Sequence, residues 1–223
     1  MTLWVSLETS SRAPSVALNC EAGQLQRQLA ADRAHAADLL PLLAAMLLEV
    51  NHEPTDIDGI VVGTGPGSYT GLRVGIATAL GLARGSGAAL VAVPSMEALA
   101  YGELTPGEEG TLVADAHAGA LYLARYERTA NGLRTLVAPS VSPPQDVLAG
   151  VDWSRGQIFA DTKSTALLEL EAKADGRLHL DIKPRADALL ELGTRRFEEN
   201  GASAPEDIQP LYLRPFASKP RKR

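Results

Sequence analysis

The chain has 223 residues, a hydrophobic fraction of 45% and a formal net charge of -6, which suits one large domain or two small lobes and does not call for disorder. That charge argues against a protein that holds RNA unaided, because phosphate contacts need concentrated Lys and Arg; the cationic end formed by Lys219, Arg221, Lys222 and Arg223 is the local exception. No apolar run reaches the roughly eighteen residues of a membrane helix, and the run at 3–7 is too short for a signal peptide core, so a cytoplasmic location with no membrane contact is expected.

Three extended segments open the chain, at 2–7, 15–20 and 24–30, the first two separated by a polar turn, and they predict an antiparallel meander. A helix is expected over 36–50, where Leu39, Leu42, Leu43, Met46 and Leu47 recur at spacings of three and four, with Asp32 or Asp38 favouring its positive end. A buried strand at 59–63, a glycine-rich turn, a helix at 68–84 and a buried strand at 90–93 ended by Pro94 follow. The charged, glycine-containing stretch 102–110 marks a lobe boundary, dividing the chain into 1–103 and 104–223. The pattern then restarts, with strands at 111–115, 120–127 and 133–138, a short helix near 144–148, a strand at 157–160 and a helix at 184–198. The fold class is α/β, with a mixed sheet covered by helices in each lobe. Duplication is suggested by the order of elements, not by identity between the halves.

The most specific segment is Gly63-Thr64-Gly65-Pro66-Gly67-Ser68-Tyr69-Thr70-Gly71-Leu72-Arg73-Val74-Gly75. It lies between a strand and a helix start, where free amides and the helix dipole favour an anion. No Lys-Ser or Lys-Thr follows the glycines, so it is not a P-loop, and the spacing does not fit a dinucleotide fingerprint. From composition alone, a tight turn with Ser68 as N-cap and glycines clearing a helix face outweighs nucleotide binding. Cys20 has no disulfide or metal partner and reads as a small buried hydrophobe. His35, His52, His117 and His179 are scattered, and there is no Gly-x-Ser-x-Gly elbow.

The run from Gly65 to Gly75 closely resembles the hallmark of the TsaB (YeaZ) family. Leu7-Glu8-Thr9-Ser10 with Ser15-Val16-Ala17-Leu18 is similar to the family's opening, Arg33 to Pro41 to the start of its first helix, Ala114-Asp115-Ala116 with Leu121-Tyr122 to its second-lobe opening, and Pro210 to Arg214 to its closing segment. The resemblance spans the chain and is weakest over 132–204. It departs at Glu8, where the family usually has Asp, and at His117, where Arg is more common.

The resemblance implies a two-lobed actin/Hsp70/sugar-kinase-like (ASKHA) fold and a non-catalytic subunit of the bacterial complex that forms N6-threonylcarbamoyladenosine at position 37 of tRNAs reading codons that begin with A. The implied partners are a TsaD-like catalytic paralogue, a TsaE-like ATPase and, through the complex, tRNA; alone, such a chain is expected to homodimerise. Where the catalytic paralogue has a metal-binding His-x-x-x-His pair, this sequence has Ser95 and Leu99, so no metal site and no catalytic residue are assigned. The weak nucleotide-contact candidates are Glu8, Thr9, Gly65, Gly67 and Ser68, with no cofactor required by the chain itself and ATP or ADP placed at the interface of the complex. The interface residues the resemblance implies are His35, Leu39, Leu42, Leu43, Met46, Leu72, Arg73, Gly75 and Ile76. The competing reading is an enzyme, either a weak nucleotide hydrolase using the 65–68 turn or a metallopeptidase-like protein.

Overall fold

A computed structural model describes residues 2–29, 38–170, 175–180 and 182–213. Strands β1 (Leu3–Glu8), β2 (Ser15–Cys20) and β3 (Gly23–Gln28) form the expected meander. Strands β4 (Ile57–Gly63) and β5 (Ala89–Val93) add in parallel, giving the order β3-β2-β1-β4-β5. With β1 central and both faces covered, its residues are all buried and alternate between two packed layers.

Leu3, Val5 and Leu7 join Val16, Leu18, Ile60 and Val62 beneath helices α1 (Leu39–Glu49) and α2 (Tyr69–Ser86). Helix α1 buries Leu39, Leu43, Met46 and Leu47, and α2 buries Leu72, Gly75, Ile76, Ala79 and Ala83, each set spaced by three or four residues along one face. Ser68 caps α2 by accepting from the Gly71 amide at 3.2 Å. Gly87 ends α2 in the left-handed region, at φ 80°, where an L side chain would be strained.

The second unit repeats this plan. Strands β6 (Glu109–Asp115), β7 (Leu121–Thr129) and β8 (Gly132–Ser142) are antiparallel, and β9 (Gln157–Ala160) and β10 (Leu178–Leu180) add in parallel, in the order β10-β9-β6-β7-β8. One face packs Val113, Leu121, Leu123 and Ile158 with Val147 of helix α4 (Pro144–Gly150) and Leu168 of helix α5 (Thr162–Leu168). The other packs Leu112, Ala124, Tyr126 and Phe159 against Met96 and Ala100 of helix α3 (Ser95–Glu103).

Helix α3 was not among the expected elements, nor were α5 and β10. Pro94, which ends β5, also serves as the N-cap residue of α3, so one residue both stops a strand and starts a helix. Strand β10 is three residues long and gives too short a pattern to read.

The last helix, α6 (Ala186–Asn200), falls by chain order in 104–223 but covers the far face of the first sheet. Its Ala186, Leu189, Leu190 and Leu192 pack with Trp4, Ala17, Val61, Val91 and Val93, together with Ala98 and Tyr101 of α3. Its first amides are satisfied by that sheet: Ala186 N donates to Ser15 Oγ (3.0 Å) and Asp187 N to Gln26 Oε1 (3.1 Å), while Ser6 Oγ donates to Ala186 O (2.6 Å). Among the described residues, no helix is long and apolar enough to cross a membrane.

At Gly193 α6 lies close against the sheet, since a Cβ there would overlap both methyls of Val61. Gly193→Ala is therefore expected to destabilise the fold by about 1–3 kcal/mol despite alanine's better helix propensity. Urea denaturation checks this, and an unchanged midpoint would show that α6 shifts freely on the sheet.

Candidate functional site

The glycine-rich turn joins β4 to α2 and lies between the β1–β2 turn and the start of α3. Its backbone is tied to both. Ser68 N donates to Ser10 O at 2.7 Å, Thr64 N to Val93 O at 2.9 Å, Gly65 N to Ser95 Oγ at 3.1 Å, and Ser95 N to Gly65 O at 2.8 Å. The Gly65–Pro66 peptide is cis and Gly65 has φ 96°. The closing segment crosses the turn, with Leu211 N donating to Thr64 O at 2.8 Å. Three amides that an anion would draw on, those of Gly65, Ser68 and Gly71, are thus engaged within the chain.

Gly67, just before α2, and Gly71 and Gly75 in its first half face inward. A Cβ on Gly67 would overlap Ser10 O, one on Gly71 would overlap Thr9 O, and one on Gly75 would overlap Thr9 Oγ1. The motif lets the β1–β2 turn sit directly on the helix, with no room for a second helix at Gly71 or Gly75.

Glu8 is fully buried at the end of β1. Its Oε1 accepts from Ser10 N at 2.7 Å, while Oε2 has no hydrogen-bond partner, and neither has Thr9 Oγ1. Burial raises the Glu8 pKa, outweighing the opposing pull of the nearby donors of Ser10, Ser95 and Thr9. The five nucleotide-contact candidates are gathered in one place: Glu8, Thr9 and Gly65 are buried, Gly67 is half-buried and Ser68 is exposed.

The interface residues fare differently. His35 lies outside the described residues, as do Arg214 and the cationic end at 219–223. Leu39, Leu43, Met46, Leu72, Gly75 and Ile76 are buried inside the chain's own lobe, and Leu42 packs against the same core. The most apolar positions of an amphipathic helix are those its own core takes first, so these side chains face the lobe's interior. Arg73 is exposed. Its Nε donates to the Tyr212 hydroxyl at 3.0 Å and its guanidinium lies 4.1 Å from the centre of the Tyr69 ring.

The exposed positions of α1 and α2 are other residues of the same two helices. Leu40 is 50% exposed and Leu48 77% exposed, large values for leucine. Leu40 borders an open groove of about 470 Å³, lined also by Pro54, Ala77, Gly81, Leu82 and Gly85, among others. An added Cβ at Gly81 or Gly85 would meet nothing within 4 Å. The sequence carried the signal in Ala77, Gly81 and Gly85, spaced four apart and opposite the buried stripe.

Among the described residues, no group of three His, Cys, Asp or Glu side chains could hold an ion. Ser95 is buried and bonded to Gly65, and Leu99 packs in the core between α3 and the second sheet. In the second lobe, Asp115 ends β6 as Glu8 ends β1. Burial opposes its ionisation, but Lys163 at 2.7 Å and the His117 amide at 2.9 Å hold its carboxyl below the ordinary range. His117 Nδ1 also lies 3.1 Å from this carboxylate.

The family model described as "TsaD: tRNA N6-adenosine threonylcarbamoyltransferase" matches residues 29–171. The chain is 28% identical to the tRNA threonylcarbamoyladenosine biosynthesis protein TsaB of Escherichia coli (strain K12), across 94% of each chain. It is 33% identical to an uncharacterized protein of Mycobacterium tuberculosis (strain ATCC 25618 / H37Rv), over 84% of this chain and 79% of that one. Among solved structures, YeaZ from Pseudomonas aeruginosa superposes with a TM-score of 0.80 at 28% identity, covering 96% of this chain and 100% of that chain.

Two predictions follow from the turn. Gly75→Ala should cost about 1–3 kcal/mol through overlap with Thr9, and Thr9→Ala should recover part of that loss in the double variant. Full additivity in the cycle would remove Thr9 as the neighbour. Because the folded pKa of Glu8 is raised, its contribution is fully present below the ordinary carboxyl range and is lost as pH rises through the folded value. The neutral variant Glu8→Gln should therefore gain melting temperature relative to wild type as pH rises from about 4 to 8, where a constant difference would show that Glu8 does not titrate on this scale.

Proposed function

The chain belongs to the TsaD family, in its TsaB (YeaZ) branch of the two-lobed actin/Hsp70/sugar-kinase-like fold, and we propose that it is a non-catalytic subunit of the complex that makes threonylcarbamoyladenosine in tRNA. In this reading a TsaD-like catalytic relative performs the transfer and this chain supports it. A TsaE-like ATPase and ATP or ADP at the interface of the complex are part of the same proposal, as are N6-threonylcarbamoyladenosine at position 37 as the product, homodimerisation of the isolated chain and a cytoplasmic location.

The observation that carries the reading is the exposed apolar face of α1 and α2. Leu40 and Leu48 are exposed on α1, and Leu40 borders the groove at Ala77, Gly81 and Gly85; leaving such a surface wet costs solvation free energy that a protein partner would recover. The glycines let a facing backbone come close. Two further features support the absence of chemistry. The positions that match the paralogue's metal pair hold Ser95, which is engaged with the glycine turn, and Leu99, which has no ligating atom. The turn's Gly65, Ser68 and Gly71 amides are bonded internally, and this weakens its claim on a phosphate.

Two glycines on one helix separate the roles. Gly81→Leu adds a side chain where there is open space, so the variant should keep the wild-type melting temperature while its affinity for the TsaD-like relative falls tenfold or more. Sizing and calorimetry of the mixture measure both. A folded Gly81→Leu chain that pairs normally would take the groove out of the interface.

A further inference from the structure

At the first turn of α2, away from the buried face, three side chains form an ordered exposed cluster. The Tyr69 and Tyr212 rings stack at 5.0 Å between centres and 24° between planes. Arg73 lies over Tyr69 at 4.1 Å and donates Nε–H to the Tyr212 hydroxyl at 3.0 Å. Tyr212 remains 42% exposed. The chain has five tyrosines, and Tyr101 and Tyr126 are buried in the core. If Tyr212 served only to clip the closing segment onto the glycine turn, burying it would gain more, and the Leu211 to Thr64 backbone bond already makes that clip.

We propose that the exposed side of Tyr212, backed by Tyr69 and Arg73, is a stacking platform for an unpaired base of RNA. The proposal rests on the reading of the chain as part of a tRNA-modifying complex. Stacking on an aromatic ring is available to every base, because each has a π face, and it adds affinity in proportion to how well the ring is held beforehand. Here one neighbour stacks on the ring and another holds its hydroxyl, so little freedom is lost on binding. In sequence, Tyr212 lies between Glu206-Asp207 and the cations Arg214, Lys219, Arg221, Lys222 and Arg223, which fall outside the described residues. Arg73 adds a guanidinium beside the ring, where it can meet the phosphate that follows a stacked base. A peptide partner is the alternative occupant, but unlike a nucleotide it does not bring a flat π face and a phosphate together, the pair that Tyr212 and Arg73 offer to meet.

The test uses the full chain, alone and with its TsaD-like relative, and a short single-stranded RNA carrying 2-aminopurine, whose fluorescence falls on stacking. Quenching is expected with wild type and Tyr212→Phe, with affinities within about twofold. Tyr212→Leu, which keeps bulk but lacks a π face, should lose the quenching and bind about tenfold more weakly. Arg73→Gln should lower the salt slope of binding by about one. Photo-cross-linking of wild type to RNA containing 4-thiouridine needs no substitution and should map to Tyr212 or Tyr69. Equal behaviour of the Phe and Leu variants, or cross-links that fall elsewhere, would overturn the platform. So would a Tyr212→Leu chain that loses the catalytic relative but not the RNA, which would make the cluster a protein contact. Pairing is measured in the same samples, so a failed platform with intact pairing leaves the functional reading standing, whereas lost wild-type pairing removes that reading itself.

Discussion

The β1–β2 turn rests on α2 at a separation that only hydrogen atoms on the helix permit. Thr9 O faces Gly71, Thr9 Oγ1 faces Gly75 and Ser10 O faces Gly67, so three glycines fix both the height and the rotation of the helix over the sheet. Rotation in turn decides which residues go inside. With Gly75 against the turn, Leu72, Ile76, Ala79 and Ala83 are buried, and Ala77, Gly81 and Gly85 face outward beside α1. The groove on the surface is therefore a consequence of the close contact beneath it. The same contact places Tyr69 and Arg73 where the closing segment can reach them.

A second constraint joins the halves. Helices α3 and α6 form a layer shared by the two sheets, so neither lobe is complete alone: Ala98 and Tyr101 of α3 pack toward the first sheet, Met96 and Ala100 toward the second. Polar contacts stitch the seam. Tyr101 donates its hydroxyl to Glu191 at 2.6 Å, Arg128 lies 3.7 Å from the centre of the Tyr101 ring, and Glu97 pairs with Arg196. Desolvation with Glu97 nearby pushes the Tyr126 phenol well above its usual range, so it stays neutral at any physiological pH.

The order of elements was readable because each long segment shows its period: alternation or continuous apolar runs in the strands, spacings of three and four in α1 and α2. What escaped was short or used a residue twice. Pro94 reads as a stop and is also a start; β10 is only Leu178–Leu180. For the site, Gly63 to Gly75 located the turn and resemblance named the family, but helix periodicity ranks residues by apolarity and cannot say which layer claims them. Leu39, Leu43, Met46 and Ile76 went to the core for that reason, while Leu48, equally apolar and one position beyond a buried leucine, stayed outside. The fate of Tyr212 could not be read from sequence, because its neighbours Tyr69 and Arg73 lie 143 and 139 positions earlier in the chain.

That α6 covers the first sheet has a bearing on how the chain is made. A ribosome delivers β1 through β5 long before Ala186–Asn200 leaves the exit tunnel, so one side of an otherwise finished sheet must wait, with Trp4, Val61, Val91 and Val93 uncovered, while the whole second unit is synthesised. The nascent protein carries an adhesive surface while the intervening segment between β5 and α6 is made. Completion is a circularising event in which the last helix docks against the first strands. Until then, Ala98 and Tyr101 of α3 are what can cover that side of the sheet.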